Sequence, residues 1–206
     1  AVPGVSDAAW RATLQRALDL EPAHLSVYGL TAEEGTLLHA DAAGGRIALP
    51  TDDDQLARLD AAETLLTAAG FERYEISNYA RPGFACRHHL ACWRGADYLG
   101  LGPAAASHAG LQRWTNRPDL DAWLAALDAG QTPPRETETL TPARERLDRM
   151  VFGLRMAEGI ADALAADRRA ELEALEADGL VRHRAGRWTL TPRGRALADY
   201  VAVALL

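Results

Sequence analysis

Twice within residues 1–80 an amphipathic helical pattern is followed by a short strand-like run, and that alternation confines the chain to the α/β class. Ser6-Asp7 opens the first helix, whose apolar positions Trp10, Leu14, Ala17 and Leu18 recur at helical spacing until Glu21-Pro22 stops it. His24 to Leu30 then reads as a buried strand. Thr51-Asp52-Asp53-Asp54 caps the second helix, with Leu56, Leu59, Ala62, Leu65, Leu66 and Ala69 as its buried face and Gly70 as its stop. Phe71 to Tyr79 follows as a second strand. Two helix–strand pairs of this kind predict right-handed crossovers in a parallel sheet, and they fit an open sheet and a barrel equally.

Between these elements, residues 31–50 read as a long Gly-rich loop or short excursion, and the stretch 81–116 as irregular structure or short strands. A helix is expected at about 117–129, a Pro-rich linker at 131–135, and a further helix from Thr141-Pro142 to about Arg155. The remaining segment predicts two helices at about 161–166 and 168–178 and a hairpin turning at Ala185-Gly186, with an apolar helix to close. Two helices, a two-stranded wing and a helix resemble a winged-helix module. The domain boundary is placed between residues 135 and 136, giving units 1–135 and 136–206.

A chain of 206 residues with net charge −7 is large enough for one core or two modest ones and is not a general binder of nucleic acid or anionic membranes. No stretch is long and apolar enough to span a bilayer. Two cysteines, Cys86 and Cys92, are too few for a disulfide framework or for an iron–sulfur cluster, and a reducing cytoplasm is the expected compartment. The opening Ala1-Val2-Pro3-Gly4, without Met, suggests a portion of something longer.

The densest group of reactive side chains is Cys86-Arg87-His88-His89-Leu90-Ala91-Cys92-Trp93. Its spacing matches no closed zinc pattern, and His89 and both cysteines read as packing or incidental residues, whereas a haem iron needs only one or two axial ligands and an apolar wall, which His88 with Trp93, Tyr98 and Leu99 could supply in part. Gly100-Leu101-Gly102-Pro103 lets a backbone approach closely, either its own neighbours or a ligand, and lacks the rest of a dinucleotide fingerprint. Glu75 and Asn78 face either a polar cavity or solvent. Asp52-Asp53-Asp54 reads as a cap rather than a metal site, His24 and His39 as structural, and His183 as a surface residue.

These residues converge on a family. The runs Tyr74-Glu75-Ile76-Ser77-Asn78-Tyr79, Cys86-Arg87-His88-His89-Leu90 and Trp93-Arg94-Gly95-Ala96-Asp97-Tyr98-Leu99-Gly100-Leu101-Gly102-Pro103 closely resemble the radical S-adenosylmethionine (SAM) haem chaperone family (HemW), also described as oxygen-independent coproporphyrinogen III oxidase-like. His24 to Thr31 and Leu190-Thr191-Pro192-Arg193-Gly194 match as well. The resemblance implies the C-terminal part of a partial (β/α)6 radical SAM barrel followed by a mostly α-helical, winged-helix-like domain. It implies a [4Fe-4S] cluster and SAM in the full-length parent, the cluster's Cys-x3-Cys-x2-Cys motif being absent here, so that this chain alone performs no radical chemistry. It further places Thr31 and Ala106 in contact with SAM, and makes His88 and Trp93 the haem-side residues of a His-Asn-x-x-Tyr-Trp motif. In this chain that motif departs at His89 and Cys92, and the family's Gly-Ala-His-Ser becomes Ala104-Ala105-Ala106-Ser107.

Three functions follow for comparison. The first is a haem chaperone that passes haem to haem proteins, whose homodimerisation stays open. The second is a coproporphyrinogen dehydrogenase, disfavoured by Trp93-Arg94-Gly95-Ala96-Asp97 where that branch is aromatic and Gly-rich. The third is a winged-helix DNA-binding module using Arg182, Arg184, Arg187, Arg193 and Arg195, for which a solvated basic face is the simpler account.

Overall fold

The computed structural model describes residues 2–206, which divide into two compact units, residues 2–86 and 87–206.

In the first unit, α1 (Asp7–Asp19) is capped by the Ser6 hydroxyl, which accepts from the Ala9 amide, and α3 (Asp52–Ala68) by a reciprocal Thr51–Asp54 capping box. The Asp triplet is therefore a helix start, as its spacing suggests. The hydrogen bonds from Thr51 hold the Asp54 carboxyl below its usual value. A short helix, α2 (Leu37–Ala43), interrupts the Gly-rich excursion. Leu14 of α1 meets Ala62 and Leu66 of α3, Phe71 and Tyr79 in one core, and the Trp10 indole donates to the Arg58 carbonyl at 3.0 Å. Leu66 is fully buried, so truncating it to Ala costs about 2–5 kcal/mol. Leu56, expected on the buried face, is instead 38% exposed.

The sheet of this unit corrects the parallel expectation. β1 (His24–Ser26), β2 (Glu72–Arg73) and β3 (Asn78–Ala80) are ordered β1-β3-β2, and both pairings are antiparallel. The expected single strand 71–79 is a hairpin. β1 and β2 do run in the same direction, with α3 connecting them, but β3 fills the place between them. Glu75 makes the turn possible without Gly or Pro: its Oε1 accepts from the Ser77 amide and from Asn78 Nδ2, each at 2.6 Å. Asn78 Oδ1 in turn accepts from the Ser26 hydroxyl of β1. Glu75 and Asn78 are 2% and 4% exposed, so they do not face bulk solvent, and they satisfy each other.

The second unit begins with a helix where irregular structure is expected, α4 (Arg87–Trp93). Next, β4 (Ala106–Ala109), β5 (Gln112–Asn116) and β6 (Arg135–Thr139) form an antiparallel sheet in the order β4-β5-β6. α5 (Leu120–Asp128) lies between β5 and β6 in the sequence, is capped by Asp119, and starts three residues later than the expected 117. β6 runs through residues 135 and 136, where the linker and the domain boundary are expected. α6 (Pro142–Arg155) matches its expected span, with Thr141 as cap and Pro142 in the first turn.

Beyond α6 come β7 (Ile160–Ala161), α7 (Asp162–Ala165) with a 3-10 turn, α8 (Arg169–Ala177), β8 (Val181–Arg184) and β9 (Arg187–Leu190). The sheet order is β7-β9-β8, all antiparallel. Ala185 and Gly186 both have positive φ, 51° and 73°, the backbone a two-residue hairpin turn requires. The final helix is split into α9 (Pro192–Ala196) and α10 (Ala198–Leu205). Met150, Leu154, Ile160, Leu172, Trp188, Val201 and Leu205 are among the buried apolar residues here. Gly153 lets α6 approach β7, since a Cβ there would stand 2.5 Å from Ile160 Cγ2.

Candidate functional site

α4 converts the Cys-His-rich run into two i,i+4 pairs. His88 and Cys92 lie one turn apart, with Cys92 Sγ 3.7 Å from His88 Nε2, while His89 and Trp93 form the other pair. His88 is exposed, and its ring stands edge-on to Tyr98 at 6.5 Å between centroids. Trp93 is half-buried, 5.8 Å from the Phe152 ring, with the Arg155 guanidinium 4.8 Å over its face. His88 and Trp93, the two haem-side residues of the resemblance, therefore share one short helix.

Beside α4 is a cleft of about 250 Å³ whose lining includes Trp93, Tyr98, His108, Arg113, Asp148 and Phe152. Tyr98 and His108 are held together by reciprocal backbone bonds, Tyr98 amide to His108 carbonyl at 2.8 Å and the converse at 3.0 Å. Asp148 of α6, 8% exposed, accepts from Arg113 of β5 at 2.7 Å and pairs with Arg144 at 3.0 Å. That ion pair ties the sheet to the helix and sets the cleft's far wall. His108 and the Arg113–Asp148 pair were not read as site residues. His108 follows the buried Ser107 at the edge of a small-residue run, and Arg113 and Asp148 lie 35 positions apart, beyond the reach of any local pattern.

The two SAM-contact candidates are exposed: Thr31 in the loop after β1, within the first unit, and Ala106 as the first residue of β4, within the second. The Gly-x-Gly has an internal explanation. A Cβ on Gly100 would lie 2.2 Å from the Ala106 carbonyl oxygen, so this glycine serves packing of the chain against itself.

Among the described residues no group of three or more His, Cys, Asp or Glu could hold a metal ion, and neither cysteine is in a disulfide. The residues present do not fit an iron–sulfur cluster. Among the described residues no helix is long and apolar enough to cross a membrane.

His24 bonds to the Tyr74 hydroxyl at 2.8 Å, a structural role as expected. Burial pushes the Tyr74 phenol up to about 12, opposed by its bond at the Cys86 backbone. His183 is more than a surface residue, because its Nε2 meets Asp162 Oδ1 at 2.7 Å and its ring stacks on Trp188 at 4.4 Å. Of the wing arginines, Arg187 donates to the Glu158 and Gly159 carbonyls and Arg193 to the Asp178 carbonyl, so part of the basic cluster is engaged in folding.

Comparison with known proteins adds the wider frame. The HemN C-terminal domain family matches residues 140–197. A solved structure described as "Coproporphyrinogen III oxidase (HemN) from Escherichia coli is a Radical SAM enzyme" superposes with a TM-score of 0.75 over 99% of this chain and 52% of that one, at 22% sequence identity. The mixed α/β fold is thus of the HemN type. Among curated relatives, the heme chaperone HemW of Mycobacterium tuberculosis is 36% identical over 205 residues, covering 99% of this chain and 53% of the relative. HemW of Escherichia coli is 45% identical over 93 residues, covering 45% of this chain and 23% of the relative. The mitochondrial radical S-adenosyl methionine domain-containing protein 1 of Danio rerio is 33% identical over 168 residues, 78% of this chain and 38% of that protein. The chain is similar to HemW over its length and to the HemN C-terminal domain over residues 140–197, and it spans about half the length of the M. tuberculosis HemW it matches.

Proposed function

We propose that this chain is the haem-side part of a radical SAM haem chaperone, which binds haem as cargo and delivers it to haem-accepting proteins in the cytoplasm. The observation that carries the reading is the exposed His88 on α4, one turn from Cys92, beside the Tyr98 ring and on the same short helix as Trp93, in a chain similar along its length to heme chaperones. An imidazole at a surface is accessible to a haem iron, and neighbouring rings give the macrocycle an apolar wall. The [4Fe-4S] cluster and SAM belong in this reading to residues outside this chain, with Thr31 and Ala106 contributing backbone and small-side-chain surface to SAM. The segment 136–206 is a winged-helix-like module in which α6 to β9 follow a helix, strand, two helices and hairpin, and segment 1–135 is the end of the barrel with its extension.

Haem titration of the longer protein, followed by its Soret band, tests the assignment. His88→Ala is expected to shift the band and weaken haem binding about tenfold or more, equivalent to the ~1.4 kcal/mol of a modest ligand bond. Unchanged band and affinity would refute His88 as ligand.

A further inference from the structure

The cleft beside α4 is lined by two side chains that each carry a buried polar atom whose hydrogen-bonding capacity the protein does not meet. Trp93 Nε1 and His108 Nε2 are both shielded from solvent and both without a partner, and both side chains line the same cavity. His108 as a whole is 8% exposed. Buried polar groups are nearly always bonded, and leaving one unmet costs about 1–3 kcal/mol. Two orphans on one cavity mark a place where something else supplies the bonds.

The chemistry of the lining narrows what that is. An indole N–H only donates, so the missing partner is an acceptor, and a His108 ring protonated at Nε2 would donate to the same atom. Around these donors the walls are apolar, with Trp93, Phe152, Leu140 and Tyr98 contributing rings and an isobutyl group. The cleft's own carboxylates are already engaged, Asp148 by Arg113 and Arg144, and Glu145 by Arg149. Arg149 is the loosest of these cations: its contact with Glu145 is 3.6 Å and its side chain is 50% exposed. Gly95 exists to let it pass, since a Cβ at Gly95 would stand 2.9 Å from Arg149 Cγ. At about 250 Å³ the cavity is below the ~300–1,000 Å³ of a site for a drug-sized ligand, so it takes a small molecule or one edge of a larger one.

We infer that this cleft is a binding site for a carboxylate carried on a flat, apolar body. The carboxylate accepts from Trp93 Nε1 and His108 Nε2 and faces Arg149, and the body lies against Trp93 and Phe152. Two sources present this chemistry: a free arylalkanoic acid, and the propionate edge of a porphyrin. The second rests on the haem-binding proposal above, whereas the cleft itself does not.

The test uses this chain with a ¹⁵N label, 3-phenylpropionate as probe and its methyl ester as control. The acid is expected to shift the Trp93 indole N–H resonance saturably while the ester does not. Trp93→Phe, which keeps an aromatic ring and removes the donor, is expected to weaken acid binding about tenfold, as loss of a charge-assisted bond predicts. Its backbone spectrum should stay native, and His108→Gln provides a second variant if it does not. Absence of any Trp93 shift at millimolar acid overturns the inference, and so does equal binding of acid and ester. Displacement of the probe by haem but not by haem dimethyl ester identifies the porphyrin edge as the source. Probe binding with no displacement by haem leaves a small free carboxylate as the source. Probe binding by a protein that takes up no haem at all sinks the chaperone reading while the cleft stands.

Discussion

The Arg113–Asp148 pair is a direct means of asking whether the cleft is held together as described. Arg113→Met preserves most of the side-chain volume and removes the guanidinium that reaches from β5 to α6. Asp148 is 8% exposed and keeps Arg144 at 3.0 Å, but loses its 2.7 Å bond from Arg113. A hydrogen bond to a charged group contributes about 1.5–3 kcal/mol. Arg113 is itself 29% exposed, so water screens part of the interaction, and the lower half of that range, about 2 kcal/mol, is expected. For a protein of this size that lowers the melting temperature by roughly 4–8 °C. Asp148→Asn should cost a similar amount, and the double variant about 1 kcal/mol less than the sum of the two singles, because the second change removes a partner already lost. Trp93, Trp114, Trp123 and Trp188 lie in the second unit and only Trp10 in the first, so urea unfolding followed by tryptophan fluorescence reports mainly on the relevant half. Stability of Arg113→Met within about 0.5 kcal/mol of the parent, or strict additivity of the two substitutions, would refute the claim that this pair joins sheet to helix.

Other expectations concern the same two units. Gly159 has φ +60°, and a Cβ there would stand 1.9 Å from the Trp188 carbonyl oxygen, so Gly159→Ala should cost about 3 kcal/mol or more by chemical denaturation, from left-handed strain plus overpacking against backbone. Gly130→Ala, with φ +66° and open space around it, is the control and should cost only about 1–2 kcal/mol; equal losses would remove the steric argument. Tyr74 should ionise near 12 when absorbance at 295 nm is followed with rising pH, and Tyr74→Phe should remove one late-titrating phenol from that curve. Because its value is raised from 10.0, what the neutral phenol contributes to stability is intact below 10 and is lost as pH climbs through about 12. A high-pH titration left unchanged by Tyr74→Phe would contradict the environment assigned to Tyr74.

Elements with strong periodicity and a recognisable cap were legible from residues alone. α1, α3 and α6 start at Ser6, Thr51 and Thr141 because each hydroxyl meets an amide three residues on, and the hairpin at Ala185-Gly186 carries its own turn signal. The β2–β3 hairpin was not legible, since its turn is made by a buried Glu75 carboxylate where a reader looks for Gly, Asn or Pro. α4 has only seven residues and no apolar stripe, so nothing marks it as helical until neighbouring elements hold it. β6 is exposed at every position, and without a buried face it leaves no alternation to detect. At the candidate site, His88 and Trp93 stood out by chemistry, whereas their pairing with Cys92 and His89 depended on the helix that periodicity did not show. His108 carried a weak signal as a histidine beside small residues, and only the fold reveals that its Nε2 is buried without a partner.

The sheet formed by β4, β5 and β6 has one more property, which concerns behaviour in concentrated solution. Its two margins are closed by different means. Tyr98 bonds to the β4 side through His108, occupying backbone groups there, while the outer margin of β6 is covered by no strand and carries Arg135, Glu136 and Glu138 among its five exposed residues. A strand from another molecule adding to β6 would bring its side chains against two carboxylates and a guanidinium. Charge at an edge makes such addition unfavourable and protects against ribbon-like self-association. The polar strand that left no trace in the hydrophobic pattern thus acts as a barrier to aggregation, and its lack of an apolar face is what makes it effective.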